Sequence, residues 1–193
     1  MIFDPEKKET LDTAERRKLL PPEEILLRSG LSEGTKIADV GCGTGYFSIP
    51  AAKIVGRSGK VFAIDISKEM LEELQNRLNP QEIHNLEILQ SQEYSIPLTD
   101  SAVDFVLLSN VLHEPDDRER FFGEVTRVLK TGGRLILIDW LKKEMDEGPP
   151  LFERLSPEEI ESLIGKFQFN IIDKDIISGK FYYYLAEKNE NRL

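Results

Sequence analysis

The run Asp39-Val40-Gly41-Cys42-Gly43-Thr44-Gly45-Tyr46 is the densest chemical signal in the chain. Glycines at 41, 43 and 45 let the backbone turn sharply and lie against a ligand. The start of the helix expected next offers unpaired N–H groups and positive potential, which suit an anionic group. Asp65 lies 20 residues beyond Gly45, at the end of the next apolar run. A carboxylate there faces the same crevice and can accept from ribose hydroxyls. Together these residues read as nucleoside binding. The alternative is a plain glycine turn, with Asp65 capping the helix that begins at Ser67. The glycines fall as G-x-G-x-G, not as the dinucleotide pattern G-x-G-x-x-G, and Tyr46 stands where the last glycine belongs. A tyrosine there blocks the approach of a pyrophosphate, which argues against an NAD dehydrogenase.

Alternating strands and helices must position this loop, and they predict a parallel sheet flanked by helices. Residues 10–29 read as helical, broken at Pro21-Pro22. Strands are expected at Thr35–Val40, Lys60–Asp65, Leu86–Leu89, Val103–Leu108 and Arg134–Asp139. Between them, Tyr46 to Val55 reads as one helix. Ser67 caps another, with Met70, Leu71, Leu74 and Leu78 facing inward and Asn79-Pro80 ending it. Pro115 is expected to start a helix that Gly132-Gly133 stops. Residues 140–155 are polar and acidic and read as a loop. Ser156-Pro157-Glu158-Glu159 is a strong helix start. Phe169–Ile177 and Phe181–Ala186, joined by Ser178-Gly179-Lys180, predict a terminal antiparallel hairpin. Tyr182-Tyr183-Tyr184 within it reads as a strand buried on both faces.

Composition narrows the partners. The chain has 193 residues, 40% of them hydrophobic and 31% charged, the balance of one soluble globular domain. No apolar run reaches membrane-span length, and Met1 to Lys8 carries no signal-peptide stretch, so a cytoplasmic location is expected. The net charge is −10, and residues 140–162 alone carry −4. Nucleic acid and anionic membranes are therefore poor partners, although whole-chain charge leaves room for a small local basic patch. Cys42 is the single cysteine, so neither an internal disulfide nor a multi-cysteine metal site is expected. The sequence assigns no oligomeric state.

The spacing D-V-G-C-G-T-G-Y-F resembles motif I of the class I S-adenosylmethionine-dependent methyltransferases. Four further stretches extend the likeness: Val61–Ser67, Ile96–Val106, Asn110-Val111-Leu112-His113-Glu114 and Val128–Leu135. The resemblance covers residues 34–187 and is nearest to the UbiE-like, methyltransferase domain 11 branch. It implies one α/β domain over 1–193, a Rossmann-like open sheet of order 3-2-1-4-5-7-6. That sheet is mostly parallel, with an antiparallel hairpin strand and helices on both faces. Residues 1–33 would form a helical cap on a core of 34–193 that carries the acidic loop 140–155. The cofactor implied is S-adenosylmethionine. Gly41, Cys42 and Gly43 would lie along its methionine part, and Asp39 would reach its ammonium. Tyr46 belongs to the same loop. Asp65 would take the ribose hydroxyls, with Ile66 against the adenine. Gln92 and Glu93 occupy the adenine-edge position, where the family usually has Asp-Ala. Ser109 and Asn110, with His113, would edge the methyl-transfer pocket.

Sulfonium is a strong methyl donor, so the protein mainly has to align donor and acceptor. A base is needed only where the acceptor must lose a proton. The candidates are His113, Asp139 and Tyr46, with Trp140 as a wall for the acceptor. The bland roles are helix-start packing for His113 and loop capping for Asp139. Asp104 sits at the far end of its strand and reads as structural, and Cys42 does not read as a nucleophile. One cysteine also argues against an arsenite methyltransferase, which needs several thiols. The expectation is a small-molecule methyltransferase with a neutral or cationic acceptor. A protein methyltransferase, or a regulatory protein that binds the cofactor without turnover, are the rivals.

Overall fold

The computed structural model describes residues 12–79 and 82–189. The N-terminal tail through residue 11 and the helix-ending Pro80, both read above, lie outside the described residues. Seven strands form one sheet: β1 (Lys36–Val40), β2 (Lys60–Asp65), β3 (Leu86–Gln90), β4 (Val103–Ser109), β5 (Leu129–Trp140), β6 (Phe169–Ile177) and β7 (Phe181–Lys188). Their order is β3-β2-β1-β4-β5-β7-β6. β1 to β5 run parallel, and β7 lies antiparallel between β5 and β6. This is the expected Rossmann-like arrangement. The chain leaves β1 toward β2 and β3 and returns to β4 on its other side, so Val40 is flanked by Ile64 and Leu108. Such a reversal opens a crevice at the carboxyl ends of the strands.

Alternation along the strands divides the core into two layers. Ile37, Leu107, Ile136, Ile138 and Tyr183 pack on one face beneath α2 (Pro22–Arg28) and α3 (Ser48–Val55). Val106, Leu108, Leu135 and Leu137 pack on the other beneath α5 (Arg118–Val128) and α6 (Pro157–Lys166). Each such side chain contributes about 1.5–3 kcal/mol on burial. α4 (Lys68–Leu78) buries Met70, Leu71, Leu74 and Leu78, and Ser67 caps it by accepting from the Met70 N–H. At α6, Ser156 and Glu159 form a reciprocal capping box.

Two expectations are corrected. α5 starts at Arg118, not at Pro115: the capping oxygen belongs to Asp117, which accepts from the Arg120 N–H at 2.9 Å. The residues before it are spent on the turn after β4. Nor do Gly132-Gly133 stop that helix. It ends at Val128, and β5 begins at once, pairing Leu129 with Val103 and Arg134 with Phe105. The surplus residues form a bulge in which Gly132 has φ +71°. A Cβ on Gly133 would lie 2.8 Å from the Lys130 carbonyl oxygen. The N-terminal piece breaks at Pro21-Pro22 into two helices, as expected. α1 (Ala14–Leu19) crosses the ligand edge, where the Ser178 hydroxyl donates to the Leu19 carbonyl at 2.7 Å. α2 buries Ile25 and Leu26 in the core. Beyond it, Arg28 bonds Asp173 and Asp175 of β6 at 2.7–3.1 Å.

Residues 141–156 hold no helix or strand, as expected, but they are not loosely held. Arg154 is buried and donates to the carbonyls of Leu141, Lys143, Glu147 and Pro149 at 2.7–3.2 Å. No helix among the described residues is long and apolar enough to cross a membrane.

Candidate active site

At the carboxyl end of β1 the glycine loop turns under the end of β2. The N–H groups of Gly41 and Cys42 both donate to the Ile64 carbonyl, at 2.8 and 3.0 Å. Gly41 and Gly45 have φ of +75° and +84°, a region that side chains rarely adopt. Their added Cβ atoms would lie 2.3 Å from Val111 and 2.4 Å from Leu74. Packing inside the protein therefore demands these two glycines, before any ligand is considered. The Cys42 thiol is buried. Burial, reinforced by the charges of Asp39 and Asp65, pushes it well above its ordinary range, so it is not a nucleophile.

Three carboxyl groups gather near this loop. Asp39 is buried and accepts the Ser48 hydroxyl at 2.5 Å. Burial pushes it up to about 7; the Ser48 bond offsets part of this and the Asp65 charge adds to it. Asp65 is raised mainly by burial, against the N–H bonds of Ser67, Gly43 and Ile66. One Asp65 oxygen accepts from Gly43 N at 2.8 Å and the other from Ser67 N at 2.9 Å. The capping reading of Asp65 thus holds. It braces the helix start, and a carboxylate has about four lone-pair sites, so capacity for two hydroxyls remains. Glu114 is half-buried, and burial together with the Asp65 charge lifts it to about 7 against the opposing pull of His113. No role for Glu114 is read from the sequence. Its place beside His113 was the available signal.

Around them, Ile66 is half-buried next to Asp65. Gln92 and Glu93 are exposed just past β3, whose Gln90 pairs with Asp65. The backbone of Gln92 exchanges hydrogen bonds with that of Ser95 at 3.1–3.2 Å. Ser109 ends β4, half-buried. Asn110 follows at φ +58°, anchored by its N–H to the Ile138 carbonyl at 2.8 Å. Its Oδ1 is buried with no hydrogen-bond partner among the described residues. An orphaned acceptor and desolvated carboxylates, each at the carboxyl end of the sheet, fit a ligand carrying cationic N–H and sulfonium centres. S-adenosylmethionine is such a molecule.

The two base candidates meet. His113 Nδ1 lies 2.7 Å from Asp139 Oδ1. The His113 N–H donates to Asp139 Oδ2 at 3.2 Å, and the Trp140 N–H to Oδ1 at 2.8 Å. A carboxylate only accepts, so Nδ1 carries the proton and Nε2 is left as the basic nitrogen. Nε2 has no partner among the described residues. Burial alone would push the imidazole down, but the Asp139 bond and charge outweigh it, and the ring stands above its ordinary value. Arg118 links this turn to the acidic loop, reaching the carbonyls of His113 and Glu153 at 3.4 Å.

Two candidates are placed elsewhere. The Tyr46 hydroxyl donates to the Leu20 carbonyl at 2.6 Å and is raised to about 12 by burial, so it does not serve as a base near neutral pH. Its ring anchors α1 to the loop. Trp140 is not a free wall: its indole packs on Phe181, 4.5 Å between centroids, and on Gly148, where a Cβ would come within 2.7 Å. Asp104 is structural, as read, accepting from the Lys36 N–H and from Lys130 Nζ at 2.8 and 2.6 Å.

Known proteins resemble this chain in sequence and in fold. The family model described as a Methyltransferase domain matches residues 38–137. The Ubiquinone/menaquinone biosynthesis C-methyltransferase UbiE of Haemophilus ducreyi is 32% identical over 164 residues, 82% of this chain and 59% of that one. The Demethylmenaquinone methyltransferase of a Geobacillus species is 31% identical over 124 residues, 64% of this chain and 53% of that one. The chain thus spans little more than half the length of these curated relatives. A crystal structure of a SAM dependent methyltransferase from Aquifex aeolicus superimposes with a TM-score of 0.90 at 35% identity, covering 96% of this chain and 98% of that one. By this match and this likeness the chain belongs to the methyltransferase domain 11 family of class I S-adenosylmethionine-dependent methyltransferases.

Proposed function

We propose that the protein transfers a methyl group from S-adenosylmethionine to a small ring-type acceptor, with His113 as general base and Asp139 as its positioning residue. The observation that carries this reading is the 2.7 Å bond between His113 and Asp139 at the carboxyl ends of β4 and β5. The cofactor supplies an electrophilic methyl group on a sulfonium. Asp65 would hold the ribose hydroxyls, and Asp39 and Asn110 would receive the ammonium. Alignment of this kind supplies roughly 7–11 kcal/mol of the barrier in well-oriented reactions. Asp139 fixes the imidazole tautomer, and His113 Nε2 accepts the proton that the acceptor must lose. Such a base adds roughly 10²–10⁴-fold. The names of the relatives support a quinone-type acceptor methylated at carbon, and a base suits such a ring because its hydroxyl must ionise to activate it.

The test uses the purified full chain with labelled S-adenosylmethionine and a panel of hydroquinones, phenols and amines, with mass identification of the product. Label on a hydroquinone or phenol, lost in His113→Ala, is the expected result. Label on amines alone, or unchanged turnover in His113→Ala, refutes the base. Labelled protein bands in a cell extract, with no labelled small molecule, would favour a protein acceptor.

A further inference from the structure

Arg16 lies on α1, where that helix crosses the ligand edge. Its guanidinium carbon stands 5.1 Å from the centroid of the Tyr46 ring, and Tyr46 directly follows Gly45 of the glycine loop. The Tyr46 hydroxyl bonds the Leu20 carbonyl at the end of α1, and Arg77 of α4 bonds the Thr44 carbonyl and hydroxyl of the loop at 2.8 and 3.1 Å. The neighbouring arginines have carboxylates. Arg17 bonds both oxygens of Asp12, at 2.8 and 3.1 Å, and Arg77 pairs with the same aspartate. Arg16 makes no side-chain hydrogen bond or ion pair among the described residues, and its Nε is buried without an acceptor. Burial pushes Arg16 down from its ordinary range, with Tyr46 and Asp12 opposing. Arg16, Arg17 and Arg77 thus gather around Asp12, with Glu23 a second and longer partner of Arg17 at 3.9 Å, an arginine-rich spot on a chain of net charge −10. A desolvated cation with an unpaired donor is costly unless a ligand supplies the anion. The fork of an arginine matches a carboxylate in geometry as well as charge.

We propose that Arg16 is the counter-ion of a ligand carboxylate held beside the glycine loop at Tyr46. Two ligands could bring that group: the cofactor, through its amino-acid carboxylate, or the methyl acceptor. The proposal rests on the cofactor reading above. With Asp39 toward the ammonium and Arg16 toward the carboxylate, the chain would bracket an amino-acid zwitterion with one charge of each sign.

Calorimetry on the full chain separates the cases. The probes are S-adenosylhomocysteine, which carries the amino-acid group, and 5′-methylthioadenosine, which lacks it. Arg16→Met keeps the alkyl stem over Tyr46, and Arg16→Lys keeps the charge but loses the fork. If the cofactor is the source, Arg16→Met weakens S-adenosylhomocysteine roughly 10- to 100-fold, Arg16→Lys less, and methylthioadenosine is unaffected. Ligand-free Arg16→Met then melts at or above the wild-type temperature, because an unpaired charge has gone. If the acceptor is the source, S-adenosylhomocysteine is unaffected, whereas benzoate, and not benzamide, binds the wild type and is lost in Arg16→Met. Equal binding of all four probes to wild type and variant overturns the proposal. So does a lower melting temperature with both nucleosides weakened alike, which marks Arg16 as a packing residue. Binding of neither nucleoside to the wild type sinks the cofactor reading instead and leaves the benzoate comparison to judge Arg16.

Discussion

Asp39 is the residue whose perturbation tests the electrostatics of the site most directly. In the ligand-free protein burial holds it at about 7, against about 3.9 for an aspartate in an unfolded chain. The folded state therefore keeps a proton that the unfolded chain has already released. The sign follows: the stability contributed is complete below about pH 4 and is lost as pH rises through about 7. Within that window the slope is about 1.4 kcal/mol per pH unit, so from about pH 5 to about pH 8 the loss is roughly 3 kcal/mol. Asp65, Glu114 and His113 are also raised and add slopes of the same sign. The comparison with Asp39→Asn isolates the one residue, since asparagine can still accept from Ser48. Urea unfolding across that range should show the gap between variant and wild type widening by roughly 3 kcal/mol toward alkaline pH. A cationic ligand reverses the balance. Affinity for S-adenosylmethionine should rise with pH through about 7 with proton release, and Asp39→Asn should bind weakly with no such release. A stability gap that stays constant with pH would refute the reasoning.

Other expectations concern single contacts. His113→Ala should lower kcat roughly 10²–10⁴-fold while cofactor affinity measured by titration stays the same. Asp139→Asn should move the lower inflection of the pH–rate profile toward acid, because the Asp139 bond and charge are what hold the imidazole up. Gly41→Ala combines φ +75° with a collision against Val111 and should cost at least ~2 kcal/mol in chemical unfolding. Arg154→Met strands four carbonyls and should cost about 1–3 kcal/mol, with faster proteolytic cleavage between residues 141 and 153 as the local readout.

Much of this was legible in the sequence because local rules and tertiary demands agree. The limits of β2, the inward stripe of α4 and the cap of α6 follow from periodicity and capping residues, and the structure agrees at each. The start of α5 was misread because a proline at a first helical position is plausible by itself. Only the turn carrying His113 and Glu114 shows that the chain is still committed elsewhere. The bulge at Gly132-Gly133 was missed for a related reason: two glycines punctuate a sequence whether they end an element or kink one. Among the candidate site residues, Asp65 is read from its spacing to the glycine loop and Asp39 from the family resemblance. The bond between His113 and Asp139 was not, since 26 residues separate them and their meeting depends on the register of β4 against β5. Arg154 and Arg16 left no trace, because a buried arginine is spelled like a surface one.

The pair of bonds from Arg28 to β6 has a consequence for how copies of the chain behave toward one another. β6 ends the sheet, with one partner strand and an open row of peptide groups on its other side, the usual template for aggregation. It also exposes Ile172 and Ile176. Three features make it a poor template: the register shift between Ile171 and Asp173, the charges of Asp173, Lys174 and Asp175, and the guanidinium of Arg28 strapped across both aspartates. Exposed ion pairs of this kind add at most about 1 kcal/mol to folding. Their worth lies in solubility: they keep a sticky strand from being read by another molecule as an invitation to extend the sheet.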